Sequence, residues 1–256
     1  MFSNKTEVLK KAQNNFLNFN SLTIKIGIEL EFFLLQGLLA IENQDIVKNF
    51  ITDLKSELLR NFSLIYEVEK EQGVSQIEIK TKFTNDLFEL ANQIDEIKKF
   101  IKNFAQNKDL NASFAAQPFI DDCGNALQFN ISLHDENNFF AEKYLNNMIA
   151  ALLEKTHEML IFLAPNKEDH LRFCPKINQN LFKKGKFTAP INLSFGFNNR
   201  TCAIRIMPSN EDKNNKRLEY RVAAADADIF LSMAVILDAI SYGLKNDLNL
   251  EKSVKI

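Results

Sequence analysis

The stretch Lys25-Ile26-Gly27-Ile28-Glu29-Leu30-Glu31-Phe32-Phe33 alternates apolar and polar residues with the period of a β-strand. Ile26, Ile28, Leu30 and Phe32 turn to one side; Lys25, Gly27, Glu29 and Glu31 turn to the other. Glu29 and Glu31 therefore share a face, about 7 Å apart. Carboxylates that close repel unless a cation or a basic group lies between them. Taken alone, the stretch is also what a strand with one face in water looks like.

Outward from this strand, residues 5–19 and 42–60 carry helical spacing, the latter with Ile46, Phe50, Ile51, Leu54, Leu58 and Leu59 on one side. A second β region follows. Glu67, Glu69 and Glu71 alternate with Tyr66 and Val68, Gly73-Val74-Ser75 can turn, and Gln76, Glu78 and Lys80 alternate with Ile77 and Ile79. Glu71 and Glu78 then bracket a hairpin and face the same way. Residues 85–107 and 138–163 read as helices, and 110–119 and 126–134 as strands. From Asp169 to Lys186 the pattern breaks into a loop with Pro175, Lys176, Lys183, Lys184 and Lys186, read as a solvated loop. Strands resume at 191–197, 201–207 and 217–221, with a polar turn at Asn210–Lys216, and a helix spans about 226–245. Hairpins mixed with long helices predict an α+β fold: a largely antiparallel, curved sheet backed by helices.

The chain has 256 residues and a formal net charge of −2, so it can bury a large core and is no general polyanion or nucleic-acid binder. Cys123, Cys174 and Cys202 are too widely spaced for a disulfide framework or a zinc knot and fit a reducing cytoplasm. No signal-peptide core opens the chain, and the longest apolar run, Ile229 to Leu237, is too short for a membrane span.

Glu29, Glu31, Glu71, Glu78 and Glu219 follow the same polar-face logic, as do Arg200, Arg205 and Arg221. A sheet face with carboxylates at one end and arginines at the other suits hard divalent cations and polyphosphate. His134, His157 and His170 have no ligand-like spacing, which argues against zinc. On the residues alone, a solvated sheet face remains as open a reading as a metal–nucleotide site.

Several short motifs, in order, give a resemblance. Ile28-Glu29-Leu30-Glu31-Phe32-Phe33, Glu71-Gln72-Gly73-Val74-Ser75-Gln76-Ile77-Glu78, Ala116-Gln117-Pro118-Phe119 with Gly124 to Leu133, Asn199-Arg200-Thr201-Cys202-Ala203-Ile204-Arg205-Ile206, Leu218-Glu219-Tyr220-Arg221 and Asp226 to Leu231 resemble the motifs of the glutamine synthetase family of ATP-dependent carboxylate–amine ligases. The resemblance covers residues 24–245. It implies that Glu31, Glu71 and Glu78 hold one Mg²⁺ or Mn²⁺, and that Glu29 and Glu219, with Gln128 in the place of the family's histidine, hold a second. It implies that Arg200 and Arg205 hold phosphates, that Ser132 contacts the nucleotide, and that Arg221 contacts the substrate acid.

The departures are as specific. Asn130 replaces a second histidine, Cys123 stands where an Asn usually precedes Gly124, Phe182 aligns with the substrate arginine, and Thr188 aligns with the flap glutamate. The resemblance also implies one catalytic domain over 1–256 without the family's N-terminal β-grasp domain, which a homo-oligomer or a partner chain would then supply. It implies ATP and a small carboxylate and amine as substrates. Two readings follow: an ATP-dependent carbon–nitrogen ligase of altered substrate, γ-glutamyl–amine ligation being one such reaction, or a degenerate metal- or nucleotide-binding regulator.

Overall fold

The computed structural model describes residues 4–17, 22–138, 140–187, 189–207 and 216–250. Its centre is β1 (Thr23–Gln36), the strand read first, now 14 residues long. It pairs with β4 (Gln76–Thr81) on one side and β6 (Leu127–His134) on the other, and further along with β2 (Leu39–Ala40) and β5 (Asn111–Ser113). With β3 (Ile65–Lys70), β9 (Arg217–Tyr220), β8 (Cys202–Met207) and β7 (Asn192–Phe197), the sheet order is β3-β4-β1-β6-β9-β8-β7. The pairs are antiparallel except β7–β8, which is parallel. The fold is the expected α+β, mostly antiparallel one.

The two faces of β1 separate as the alternation demands. Ile24, Ile26, Ile28, Leu30, Phe32 and Leu34 are buried in one continuous core. That core also holds the apolar stripes of α1 (Lys5–Leu17), α2 (Gln44–Asn61), α3 (Leu87–Gln106), α4 (Leu145–Leu163) and α6 (Ile229–Lys245). Each such Ile or Leu contributes roughly 1.5–3 kcal/mol on full burial, so the register of β1 is strongly fixed. Phe33 and Leu35 share the parity of the glutamates yet are also buried, in a small cluster with Cys123 against Phe119. The polar face thus ends in an apolar plug.

Several boundaries differ from the expectation, for visible reasons. The loop expected at 169–186 is mostly helical. A 3₁₀ segment runs over Lys167–Phe173, its entry held by Asn166 N donating to Asp169 Oδ2 at 2.8 Å, and α5 spans Pro175–Lys183. Pro175 is the first residue of α5, where its fixed φ starts a helix rather than breaking one. The strand expected at 110–119 stops at Ser113, because Gln117 Nε2 ties back to Phe119 O and Asp122 O in a tight turn around Pro118. The helix expected from 138 begins at Leu145; Asn138 has φ +61° and cannot continue one. Asp228 caps α6 by accepting from Phe230 N and Leu231 N. Of the polar turn expected at Asn210–Lys216, only Lys216 lies within the described residues. Among them, no helix is long and apolar enough to cross a membrane, and the three cysteines are free.

Candidate active site

The register of the sheet assembles the site. Residues directly opposite one another on paired strands project to the same face. Glu31 faces Glu78 and Glu29 faces Lys80 across β1–β4. On the other side Glu29 faces Gln128 and Gly27 faces Asn130. Asn130 faces Glu219, and Glu219 faces Arg205. Glu71 follows β3, its N–H donating to Gln76 O at 2.9 Å, which seats it at the mouth of the same hairpin. The period-two carboxylates of distant segments therefore meet on one face.

Their bonds run in a connected network. Glu31, 2% exposed, accepts from Gln128 Nε2 at 2.7 Å, Ala126 N at 2.8 Å and Gln76 Nε2 at 3.2 Å. Gln76 is itself fixed, its Nε2 also donating to Gly124 O and Asn125 Oδ1. Glu78 accepts an ion pair from Lys80 at 2.9 Å. Glu29 accepts from Asn130 Nδ2 at 3.1 Å, and Asn130 Oδ1 accepts from Arg217 Nε at 3.0 Å. Glu219 is held by two guanidinium groups, Arg221 at 2.7 Å on Oε1 and Arg205 at 3.1 Å on Oε2. Arg221 also donates to Gln128 Oε1 at 2.8 Å, and Arg205 to Asn198 Oδ1.

Burial dominates the electrostatics. It pushes the Glu31 carboxyl up to about 8, with the neighbouring charge of Glu71 adding to the effect and Arg172, Ala126 N–H and Arg221 only partly opposing it. Burial, then the charges of Glu29 and Glu31, hold Glu78 well above the usual carboxylate range. Burial and Glu219 raise Glu29. Burial alone would depress Lys80, but Glu78, Glu69 and Glu29 more than reverse that and raise it. On the Glu31–Glu78 side, the nearby cations only partly offset burial and the neighbouring carboxylates.

The placement of the remaining residues is mixed. Arg205 and Arg221 sit in the network; Arg200 lies exposed in the turn between β7 and β8. Ser132 is buried, its Oγ within 3.0 Å of His134 Nε2 and 3.4 Å of Lys25 O. Lys186 is not a solvated loop residue: it pairs with Asp122 at 2.6 Å. Thr188 lies outside the described residues. Sequence reading passed over two residues. Lys80 shares strand parity with Glu78, a signal that was present. Arg172 is fully buried, donating to the carbonyls of Arg221 at 2.8 Å and Val222 at 3.1 Å, with its charge acting on Glu31. It sat in a segment mistaken for loop, so no periodicity marked it.

Residues 35–256 match the profile of the glutamine synthetase catalytic domain. The chain belongs to this family. It is 31% identical over 193 residues to the γ-glutamylputrescine synthetase of Escherichia coli (strain K12), covering 72% of this chain and 38% of that one. It is 26% identical over 213 residues to the glutamine synthetase of Helicobacter pylori (strain ATCC 700392 / 26695), covering 80% and 41%. The chain therefore spans about four tenths of the length of these relatives. A cryo-EM structure of Plasmodium falciparum glutamine synthetase superposes with a TM-score of 0.78 over 95% of this chain and 56% of that one, at 19% identity, and shows the shared fold.

Members of the glutamine synthetase family generally use ATP and divalent metal ions. Glu31, Glu71 and Glu78 offer the oxygen ligands a hard cation takes, and burial together with neighbouring negative charge disfavours the ionised forms of Glu31 and Glu78, which a cation would favour. This side fits. The Glu29–Gln128–Glu219 side fits poorly, because both Glu219 oxygens and the Gln128 carbonyl are taken by Arg205 and Arg221. Among the described residues, no three carboxylate, histidine or cysteine side chains converge on one point as they now stand.

Proposed function

We propose that the domain carries the nucleotide-dependent chemistry of an ATP-dependent carboxylate–amine ligase: a substrate carboxylate takes the γ-phosphoryl group of ATP, and an amine then displaces phosphate from the acyl phosphate. The single observation that carries this reading is the glutamate cluster around buried Glu31, Glu78 and Glu219, on a sheet face that ends in Arg205 and Arg221. Glu31, Glu78 and Glu219 are buried and Glu29 and Glu71 half-buried beside them, and like charges withdrawn from water this far are costly without a cation. In this reading Glu31, Glu71 and Glu78 hold Mg²⁺ or Mn²⁺, which neutralises the developing charge on the transferring phosphoryl group. Glu29, Gln128 and Glu219 hold no second cation in this reading, because Arg205 and Arg221 occupy that side. Arg205 and Arg200 bind phosphate, Ser132 the nucleotide, and Arg221 the acid. Gln76 and Gln128 fix the Glu31 carboxylate between them, which orients it before substrate arrives. The relatedness to γ-glutamylputrescine synthetase favours a γ-glutamyl–amine product.

A second reading is favoured by one observation. Glu219 is closed off by two arginines, which is what a nucleotide-binding regulator without turnover would show. Calorimetric titration of ATP with and without Mg²⁺, repeated on Glu31→Ala, tests the shared premise; phosphate release with glutamate and a diamine separates the readings. Metal-dependent ATP binding lost in Glu31→Ala, with amine-dependent phosphate release, is the expected result. Binding without release would select the regulator. No ATP binding under any metal condition would sink both.

A further inference from the structure

Lys80 stands among four glutamates. Glu29 faces it across β1–β4 and Glu67 across β3–β4. Glu78 shares its strand and face, its Oε2 lying 2.9 Å from Lys80 Nζ. Glu69 forms a second ion pair with the same nitrogen. The two pairs differ in setting. The Glu78 side chain is 5% exposed and that of Glu69 is 44% exposed. One ammonium thus bridges a buried carboxylate of the cluster and a solvated carboxylate on the outer strand. It is the flexible, four-carbon-stem cation best able to move between them.

We propose that Lys80 is a tethered counter-cation that competes with a divalent ion for Glu78, and that the ion enters only as the ammonium shifts wholly onto Glu69. The inference rests on Glu31, Glu71 and Glu78 being the cation side of the reading above. A Glu78 oxygen already paired with an ammonium is a poorer ligand for a metal, and a positive charge a few ångströms from the ion repels it. At the effective dielectric of a half-buried site, one such charge weakens ion binding by at least about tenfold. Glu69 limits that loss, because it keeps Lys80 paired after Glu78 is released.

The test uses Mn²⁺ alone, with free ion read by electron paramagnetic resonance and no nucleotide present. Lys80→Met should bind Mn²⁺ at least about tenfold more tightly than the unaltered chain. Glu69→Gln should bind it more weakly, because the ammonium then has only Glu78. Melting in EDTA reports whether Lys80→Met is folded; if it is not, Glu69→Gln decides alone. Equal affinities in the folded variants, weaker binding by Lys80→Met, or no Mn²⁺ binding in any of them would overturn the proposal. Loss of ATP binding with this Mn²⁺ ranking intact would sink the ligase reading and leave this one standing.

Discussion

Arg172 heads the largest side chains withdrawn from water, with no exposed surface at all. Burial pulls its guanidinium down to about 10, so it still carries charge at neutral pH. It spends that charge on the carbonyls of Arg221, Val222 and Ala223, the chain segment leaving β9, and its field steadies Glu31. Arg172→Met would take the donor from the Arg221 and Val222 carbonyls, at roughly 1–3 kcal/mol each, while Ala223 O keeps its bond from Leu127 N. The urea midpoint should fall by a loss of roughly 3 kcal/mol or more, and Arg172→Lys should recover only part of it, because one ammonium cannot reproduce the fork. At this scale the sequence was legible where function follows strand parity. Glu29, Glu31, Glu78 and Glu219 each sit two residues from a like-facing neighbour. Arg172 has no such marker, since what buries it is tertiary packing against a segment 50 residues away. Gln128 was legible in position and not in orientation: its amide donates to Glu31 while its carbonyl faces Arg221.

Elements were legible where apolar periodicity was long and hidden where one residue decides a boundary. β1, α2, α3 and α6 were found within a few residues of their limits. α5 was missed because Pro175 and four lysines read as a break, although proline is favoured at a helix start. The way α6 meets α4 was not legible at all. Gly243 lets the two helices approach so closely that an added Cβ would lie 2.5 Å from Ala151 Cβ and 2.6 Å from the Asn147 carbonyl oxygen. Ala is the better helix former by about 1 kcal/mol, so propensity alone predicts that Gly243→Ala stabilises. Backbone cannot move aside as a flexible side chain would, and overpacking of this kind costs about 1–3 kcal/mol. Gly243→Ala should therefore lower the melting temperature. A rise would show that α4 and α6 slide apart freely, and the helical layer behind the sheet would be looser than its packing indicates.

Over the whole molecule, the site and the stability of the fold are linked through the same carboxylates. Glu31 has an ordinary value of 4.5 in the unfolded chain and about 8 in the folded one, and Glu29 and Glu78 shift in the same direction. Between those values the folded state binds more protons than the unfolded state. Stability must then fall as pH rises from about 4.5 to about 8, for Glu31, and level off above. This is opposite to the usual behaviour of carboxylates paired with surface lysines, such as Glu67 with Lys55, whose lowered value favours the folded state as pH rises. Glu67 is solvent-screened and Glu31 is fully buried, so the Glu31 term should win. In EDTA, the melting temperature should be lower at pH 8.5 than at pH 6. A divalent ion on the Glu31–Glu71–Glu78 side favours the ionised carboxylates, against the burial and the neighbouring negative charge that raise Glu31 and Glu78. With Mg²⁺ or Mn²⁺ added, the decline between pH 6 and 8.5 should shrink or vanish. A melting temperature that falls equally with and without the ion would mean that no cation reaches the cluster, and the glutamates would then be held by Lys80, Arg205, Arg221 and the amides alone.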